Sequence, residues 1–400
     1  MKILQVSNKP PYPPRDGGSL AMFNLARSLV KLGHEITVLT MFTRKHRLTV
    51  EQHKEFSKTM NVHTVYVDTA IKWPALILNV LFSDLPYNAV RFYSKSYAHE
   101  LVRVLKSESF DLVQLEGLYV TPYINLIRKN SSARIVLRAH NVEHEIWERV
   151  AHEERNRYRR KYFEMLAGRI RRFEFGIINR YDMLVPITER DLNKFNSMGN
   201  SKPSHVSPAG VEVQPVMGDS GIQRTFSLYY LGSLDWIPNQ EGLTWFARSV
   251  FPRLRKNYPD LKLHVAGRNA PMSLVRKIVH SGIVFHGEID DAVAFSNEHS
   301  VLVAPTFSGS GMRLKILEAM ALGKPVITTT IGAEGINAVS GEQLIIADDE
   351  ESFYTAVVNL MNNPDFCKSI GQQAWELVFK NYNNIDIASS LAEFYNNHLT

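Results

Sequence analysis

Little in this chain could be cross-linked, threaded through a bilayer as a helix, or left as low-complexity coil. Its 400 residues include one cysteine, Cys367. That excludes an internal disulfide framework and points to a reducing compartment. No run reaches the ~20 apolar residues of a helical membrane span. The nearest, Trp73 to Phe82, is interrupted by Pro74 and Asn79. The opening Met1-Lys2-Ile3-Leu4-Gln5-Val6-Ser7 is too short for a signal-peptide core and has no small-residue cleavage site behind it, so a cytoplasmic location is expected. Short-period repeats are missing too, which argues against solenoids. So is a dense Lys/Arg stripe with interleaved aromatics, and nucleic acid is therefore not expected as a partner.

Several chemical signatures are also missing. Cys/His metal spacing does not occur, and no metal ligand is proposed from sequence. No Gly-x-Gly-x-x-Gly opens the first helix, which argues against a dinucleotide dehydrogenase. There is no Walker lysine pattern. Ser308-Gly309-Ser310-Gly311 lacks the first glycine of a nucleophile elbow.

What is present reads as an ordinary globular protein of more than one domain. Hydrophobic residues make up 44% and charged residues 22%, too apolar for disorder, and the length suits two cores rather than one. The net charge of +6 favours phosphorylated ligands or an anionic membrane surface. Short apolar runs alternate with helical stretches. Residues 2–6, Glu35 to Thr40, Asp111 to Leu115, Arg134 to Ala139 and Asp182 to Pro186 read as strands of one parallel sheet. A first helix is expected from Ser19 to about Leu32, ended by Gly33. The pattern then breaks into Pro, Gly and polar residues, so 208–225 is read as a linker between domains 1–207 and 226–380. The second domain repeats the alternation through Phe226 to Leu231, Lys262 to Ala266, Ile283 to Phe285, Ser300 to Ala304 and Pro325 to Thr328. Residues 381–400 form a closing helix.

One stretch, Glu143 to Ile178, predicts a long helix dense in Arg and Glu. It reads either as a solvated face braced by ion pairs or as an arginine surface for a membrane or a phosphorylated lipid. Trp73 to Phe82 reads as a core-packing helix, with contact to a lipid as the alternative.

The most informative segment runs from Val303 to Met320. A strand ends at Pro305, a Ser/Gly loop follows through Ser308, Gly309, Ser310 and Gly311, and a helix starts near Met312. Free N–H groups and the helix dipole at such an end make an anion site. Arg313 and Lys315 add positive charge. Glu318, about two turns in, can accept two hydroxyl hydrogen bonds from a ribose. Leu314 is part of the same helix start. The loops at Gly232-Ser233, Gly267-Arg268 and His286-Gly287 each end a strand and would surround the same ligand. In the first domain, Gly17-Gly18 permits close approach of backbone to ligand. His140 and Asn141 follow a strand, and so does Glu116, which binds hydroxyls or caps a helix; Glu116 and Asn141 are expected on the acceptor side.

These pieces in this order resemble the bacterial retaining glycosyltransferases of family four. The resemblance rests on Gly17-Gly18, on His140-Asn141, on Gly287, and above all on Gly309-x-Gly311-x-Arg313-Leu314-Lys315-Ile316-Leu317-Glu318, continuing to Gly323-Lys324-Pro325 and Gly332-Ala333-Glu334-Gly335. It implies a GT-B fold: α/β, with two doubly wound Rossmann-like domains facing across a cleft and the C-terminal helix crossing back to the first. It also implies a UDP-sugar or GDP-sugar donor held mainly by the second domain. Glu318 would bind the donor ribose, the backbone of Gly18 would approach donor phosphate and sugar, and His140 would contact the transferred sugar. Two departures stand out. Many relatives carry glutamate where this chain has Ser310. Many also carry an Arg and a Lys after the first strand of the second domain, where this chain has Gly232-Ser233-Leu234-Asp235.

The expected activity is transfer of a sugar from a nucleoside diphosphate to a hydroxyl acceptor, glycan or lipid-linked, with retention and without a metal cofactor. A peripheral contact with the inner face of the cytoplasmic membrane is part of that picture. A sugar-nucleotide epimerase of the same architecture and a non-catalytic binding protein remain the alternatives.

Overall fold

The computed structural model describes residues 1–14, 16–44, 46–213, 226–309 and 311–399. The chain divides into two compact units. The first comprises Met1–Ala209 and Ile385–Thr400, the second Gly210–Asn384. Of the segment 208–225, residues 214–225 lie outside the described residues, and so does Ser310.

The first unit is built on six parallel strands: β1 (Lys2–Ser7), β2 (Glu35–Phe42), β3 (Asn61–Tyr66), β4 (Leu112–Glu116), β5 (Arg134–Ala139) and β6 (Met183–Pro186). Their order is β3-β2-β1-β4-β5-β6. The inner strands are buried on both faces, which is why they read as continuous apolar runs rather than alternating ones. On one face, Ile3, Val38, Leu112 and Val136 pack against Leu25 and Leu29 of the first helix, Gly17–Lys31. Ala388, Leu391 and Tyr395 of the last helix, Asn384–Asn396, join the same cluster. The opposite face buries Leu4, Leu39, Val113 and Ile135 against Tyr97, Leu101 and Ile170.

The second unit repeats the plan with β7 (Leu228–Leu231), β8 (Leu263–Ala266), β9 (Ile283–Gly287), β10 (Val301–Ala304), β11 (Val326–Thr328) and β12 (Ile345–Ile346), in the order β12-β11-β10-β7-β8-β9. Each sheet therefore has a point where the chain reverses its direction of strand addition, between β1 and β4 and between β10 and β7. Ligands of such sheets bind outside the strand carboxyl ends at these points.

Three expectations need correction. The long helix over 143–178 is two helices, Glu143–Glu153 and Arg157–Ile177. The break is chemical: the Asn156 side chain accepts from Tyr158 N and Arg159 N and starts a new helix. Trp73–Phe82 is a helix but not a core one, because Trp73, Ile77, Leu78, Leu81 and Phe82 are all exposed. The helix after the glycine loop begins at Leu314 and ends at Ala321, so Glu318 lies one turn in, not two. No described helix is long and apolar enough to cross a membrane.

The last helix holds to the first unit mainly by apolar burial. Leu391→Ala removes a side chain with no exposed surface. It should cost the first unit about 2–5 kcal/mol, read as an earlier urea midpoint for that unit's transition.

Candidate functional site

In the second unit the chain leaves β10 through Pro305 and turns at Gly309 and Gly311. Their φ values of 96° and 81° lie in the left-handed region, where a side chain is strained. The turn delivers Met312 and Arg313 to the start of the helix Leu314–Ala321. Arg313 is its cap residue, and among the described residues no side chain caps the first turn. The amino end is thus left for an external acceptor.

Arg313 folds back on the turn. Its guanidinium donates to Gly311 O in a short contact and to Ser308 O at 3.4 Å. Lys315 departs from the expectation of a standing positive charge. Its Nζ donates to Asn239 Oδ1 at 3.0 Å and Tyr230 Oη at 3.1 Å, and lies over the Tyr230 ring and beside Gly232. Burial, with help from the nearby Arg313 charge, brings its ammonium down to about 7. Glu318 is exposed at its surface, yet surrounding protein pushes its carboxyl up to about 7. Among the described residues no side-chain hydrogen bond reaches it. Two groups of opposite type are therefore each poised to change charge near neutrality.

The neighbouring loops converge as the topology requires. Asn239, which holds Lys315, also donates to Ser233 O at 2.9 Å, tying the loop after β7 to the Leu314 helix. Ser233 donates its hydroxyl to Asp235 at 2.7 Å. Leu234 N donates to Arg268 O at 2.8 Å, drawing in the loop after β8, and Gly287 ends β9 beside it through Gly267 N. Ser310, the remaining sequence candidate here, is not among the described residues.

In the first unit, His140 lies just past β5 and its Nε2 is 2.6 Å from Glu116 Oε2. Glu116 is not an acceptor-facing residue, as the sequence left open: its side chain has no exposed surface. It accepts from Gln114 Nε2 at 2.6 Å, Gln5 Nε2 at 2.7 Å and Arg138 Nη1 at 3.3 Å. These residues meet because Glu116 pairs with Ser7 of β1 and Arg138 of β5 across the reversal point. Burial alone would raise the Glu116 carboxyl, but the Arg138 charge, the His140 contact and the Gln114 bond outweigh it and hold it at about 2. Burial pushes His140 the other way from its partner's demand, below its ordinary value. The consistent assignment is an ionised Glu116 accepting from the Nε2–H of a neutral His140, which leaves Nδ1 for a ligand. Asn141 follows, half-buried.

Gly17 and Gly18 open the first helix behind Asp16, which accepts from Ser19 N at 2.8 Å and pairs with Lys9 at 2.6 Å. A Cβ on Gly18 would come 3.0 Å from Lys9 Nζ, the mobile end of a side chain, so protein packing alone does not demand glycine there.

Glu143 is a residue the sequence reading passed over. It starts the helix after His140-Asn141, and its Oε2 accepts from Tyr119 Oη at 2.9 Å. Burial pushes its carboxyl up to about 7 against the Tyr119 bond, and the Glu174 charge adds to the rise. Its signal in sequence was its place, three residues after His140. A second grouping, His264, His286 and His299, gathers donor atoms within 4.8 Å. His264 and His299 stack at 4.1 Å with planes 27° apart, Phe295 lies 4.6 Å from His299, and His264 Nδ1 is 3.0 Å from His286 Nε2. The three rings are joined by stacking and by one hydrogen bond.

Comparison with known proteins agrees with this architecture. Residues 15–214 match the family described as Glycosyltransferase Family 4, and residues 225–363 match Glycosyl transferases group 1. An "Uncharacterized 44.6 kDa protein in cps region" of Klebsiella pneumoniae is 26% identical over 404 residues, covering 98% of each chain. Among solved structures, Anabaena Alr3699/HepE in complex with UDP and glucose superposes with a TM-score of 0.69 at 13% identity, over 99% of this chain and 100% of that one. Sucrose-phosphate synthase from Thermosynechococcus elongatus gives 0.70 at 16% identity, over 99% of both. Likeness at this identity establishes the GT-B fold.

The Glu116 network makes a pH-dependent contribution that can be read directly. Its carboxyl is lowered from 4.5 to about 2 on folding. The stabilisation is therefore complete above about 4.5 and lost as pH falls toward 2, an effect of about 3 kcal/mol. Glu116→Gln should lower stability at pH 7, and its deficit against the wild type should shrink through that window in urea titrations.

Proposed function

Because the chain belongs to the family-four glycosyltransferases, we propose that it transfers a sugar from a nucleoside diphosphate to a hydroxyl acceptor with retention at the anomeric carbon. The observation that carries the reading is the helix start at Leu314, without a side-chain cap among the described residues and reached through two left-handed glycines, with Arg313 at the cap and Lys315 in the first turn. Helix dipole, backbone N–H groups and guanidinium all favour a diphosphate there.

In the proposed reaction the bond from the anomeric carbon to the diphosphate oxygen breaks, and a bond to the acceptor oxygen forms. The acceptor's proton passes to the departing phosphate. The amino end of the Leu314 helix stabilises the charge that grows on the leaving group, which is electrostatic preorganisation. Glu318 accepts hydrogen bonds from the ribose. In the first unit, His140, its Nε2–H committed to Glu116, keeps Nδ1 for a sugar hydroxyl, and the Gly18 backbone is open to a ligand. In this reading no metal is needed, since the same charges take its place.

The Anabaena relative is described with UDP and glucose, which makes a UDP-sugar the first donor to test. The cps-region relative supports a glycan or lipid-linked acceptor in polysaccharide assembly.

Three measurements follow. UDP or GDP should raise the melting temperature, and Arg313→Ala with Lys315→Ala should abolish the shift. Turnover should survive EDTA, and product NMR should show the donor's anomeric configuration. Lys315 also gives a proton signature. Its ammonium sits at about 7 when the site is empty, so at pH 8 it is mostly neutral. A diphosphate raises it, and binding should take up a proton, seen by calorimetry in buffers of different ionisation enthalpy. Lys315→Met should bind without that uptake. Proton release, or uptake unchanged in the variant, would overturn the assignment.

A further inference from the structure

The helix Trp73–Phe82 is built inside out. Its one polar side chain, Asn79, is buried and donates to Leu85 O at 3.1 Å. Its carbonyls at Asn79 and Val80 accept from Arg169 at 3.0 and 2.7 Å. Apart from the half-buried Leu76 and Val80, the large apolar side chains are exposed. Trp73, Ile77 and Leu81 recur every four residues and form one row; Leu78 and Phe82 form the next. Trp73 is 70% and Phe82 80% exposed, so these rows cover nothing in the first unit. Leaving side chains of this size in water forgoes roughly 1.5–3 kcal/mol each, and an apolar surface this continuous marks an interaction face.

The charge beside the rows indicates what covers them. Arg169 belongs to the helix Arg157–Ile177, and between Arg155 and Arg172 the chain carries eight Arg or Lys against one acid, Glu164. Arg157, Arg160 and Lys161 are exposed, and so is Arg159, which also pairs with Glu154 at 3.4 Å. The helix that carries this basic turn is held to the apolar one by the two Arg169 bonds, and Lys161 precedes Arg169 by about two helical turns. A symmetric pairing of two copies through these rows would bring two clusters of like charge together. An anionic bilayer matches both parts, with hydrocarbon for the rows and phosphate for the arginines.

We propose that the Trp73–Phe82 helix and the basic turn at Arg157–Lys161 form one docking face for an anionic phospholipid bilayer, the two apolar rows entering the boundary between headgroups and acyl chains. The face does not depend on the transfer reaction, so the two readings fail separately.

The test is co-sedimentation of the full chain with vesicles of phosphatidylcholine alone and of phosphatidylcholine with phosphatidylglycerol. Two variants are compared, Leu81→Ser with Phe82→Ser and Arg159→Glu with Arg160→Glu. All the altered residues are exposed, and an unchanged urea midpoint for the first unit serves as the control for folding. The wild type should bind the anionic vesicles roughly tenfold or more above the neutral ones, more weakly at high salt, and each variant should lose roughly tenfold or more. Failure of the wild type to bind anionic vesicles would overturn the proposal. So would unchanged binding in the serine variant, or a concentration-dependent dimer that the serine variant dissolves, which would assign the face to a second copy.

Discussion

A carboxylate with no contact to water organises the first unit. Desolvating an ionised Glu116 is expensive unless its lone pairs are filled by donors, several of them charged or strongly held. Here Gln5, Gln114, Arg138 and His140 fill them, one from β1, two from the region of β4 and β5, and one from the loop beyond. The register of the three strands at the reversal point is thereby coupled to the ring orientation of His140. A shift of one residue in any of them would leave a buried charge short of donors, which is more costly than losing an ordinary contact.

The second unit handles charge differently. Lys315 and Glu318 have been moved toward neutrality by their surroundings, and among the described residues neither sits in an ion pair. In the first unit Glu116 is held ionised by its donors, whereas Glu143, like Lys315 and Glu318, is pushed toward neutrality by burial. A dianionic diphosphate is the kind of ligand that would restore the ammonium, and its arrival costs little rearrangement because Asn239 and Tyr230 already hold the Lys315 side chain.

Much of this was legible in the sequence, for definite reasons. Strands such as β1 and β10 announce themselves because burial on both faces demands unbroken apolar runs. The edge strand β3 did not, since its residues are half-buried and mix Asn61, His63 and Thr64 with Val62 and Val65. The turn at Gly309 and Gly311 was readable because no other residue type suits that backbone. The state of Lys315 was not, because its neighbours Tyr230 and Asn239 come from 85 and 76 residues away. Glu116 was recognised by position but not by role, for the same reason: its partners are brought in by strand pairing. The Trp73 helix misled because composition reports how apolar a helix is and not whether anything lies over it.

The bond from Tyr395 Oη to Gln114 Oε1, 2.7 Å long and fully buried, joins residues 281 apart. Gln114 uses its amide oxygen for Tyr395 and its amide nitrogen for Glu116, so the tyrosine dictates which way that amide faces. On the ribosome, everything around His140 emerges long before its last support does. A nascent chain can lay down β1, β4 and β5 early, yet the amide oxygen of Gln114 gains its Tyr395 partner only when the Asn384 helix has been made and has docked. Docking of the Asn384–Asn396 helix thus acts as a completion check on the His140 imidazole.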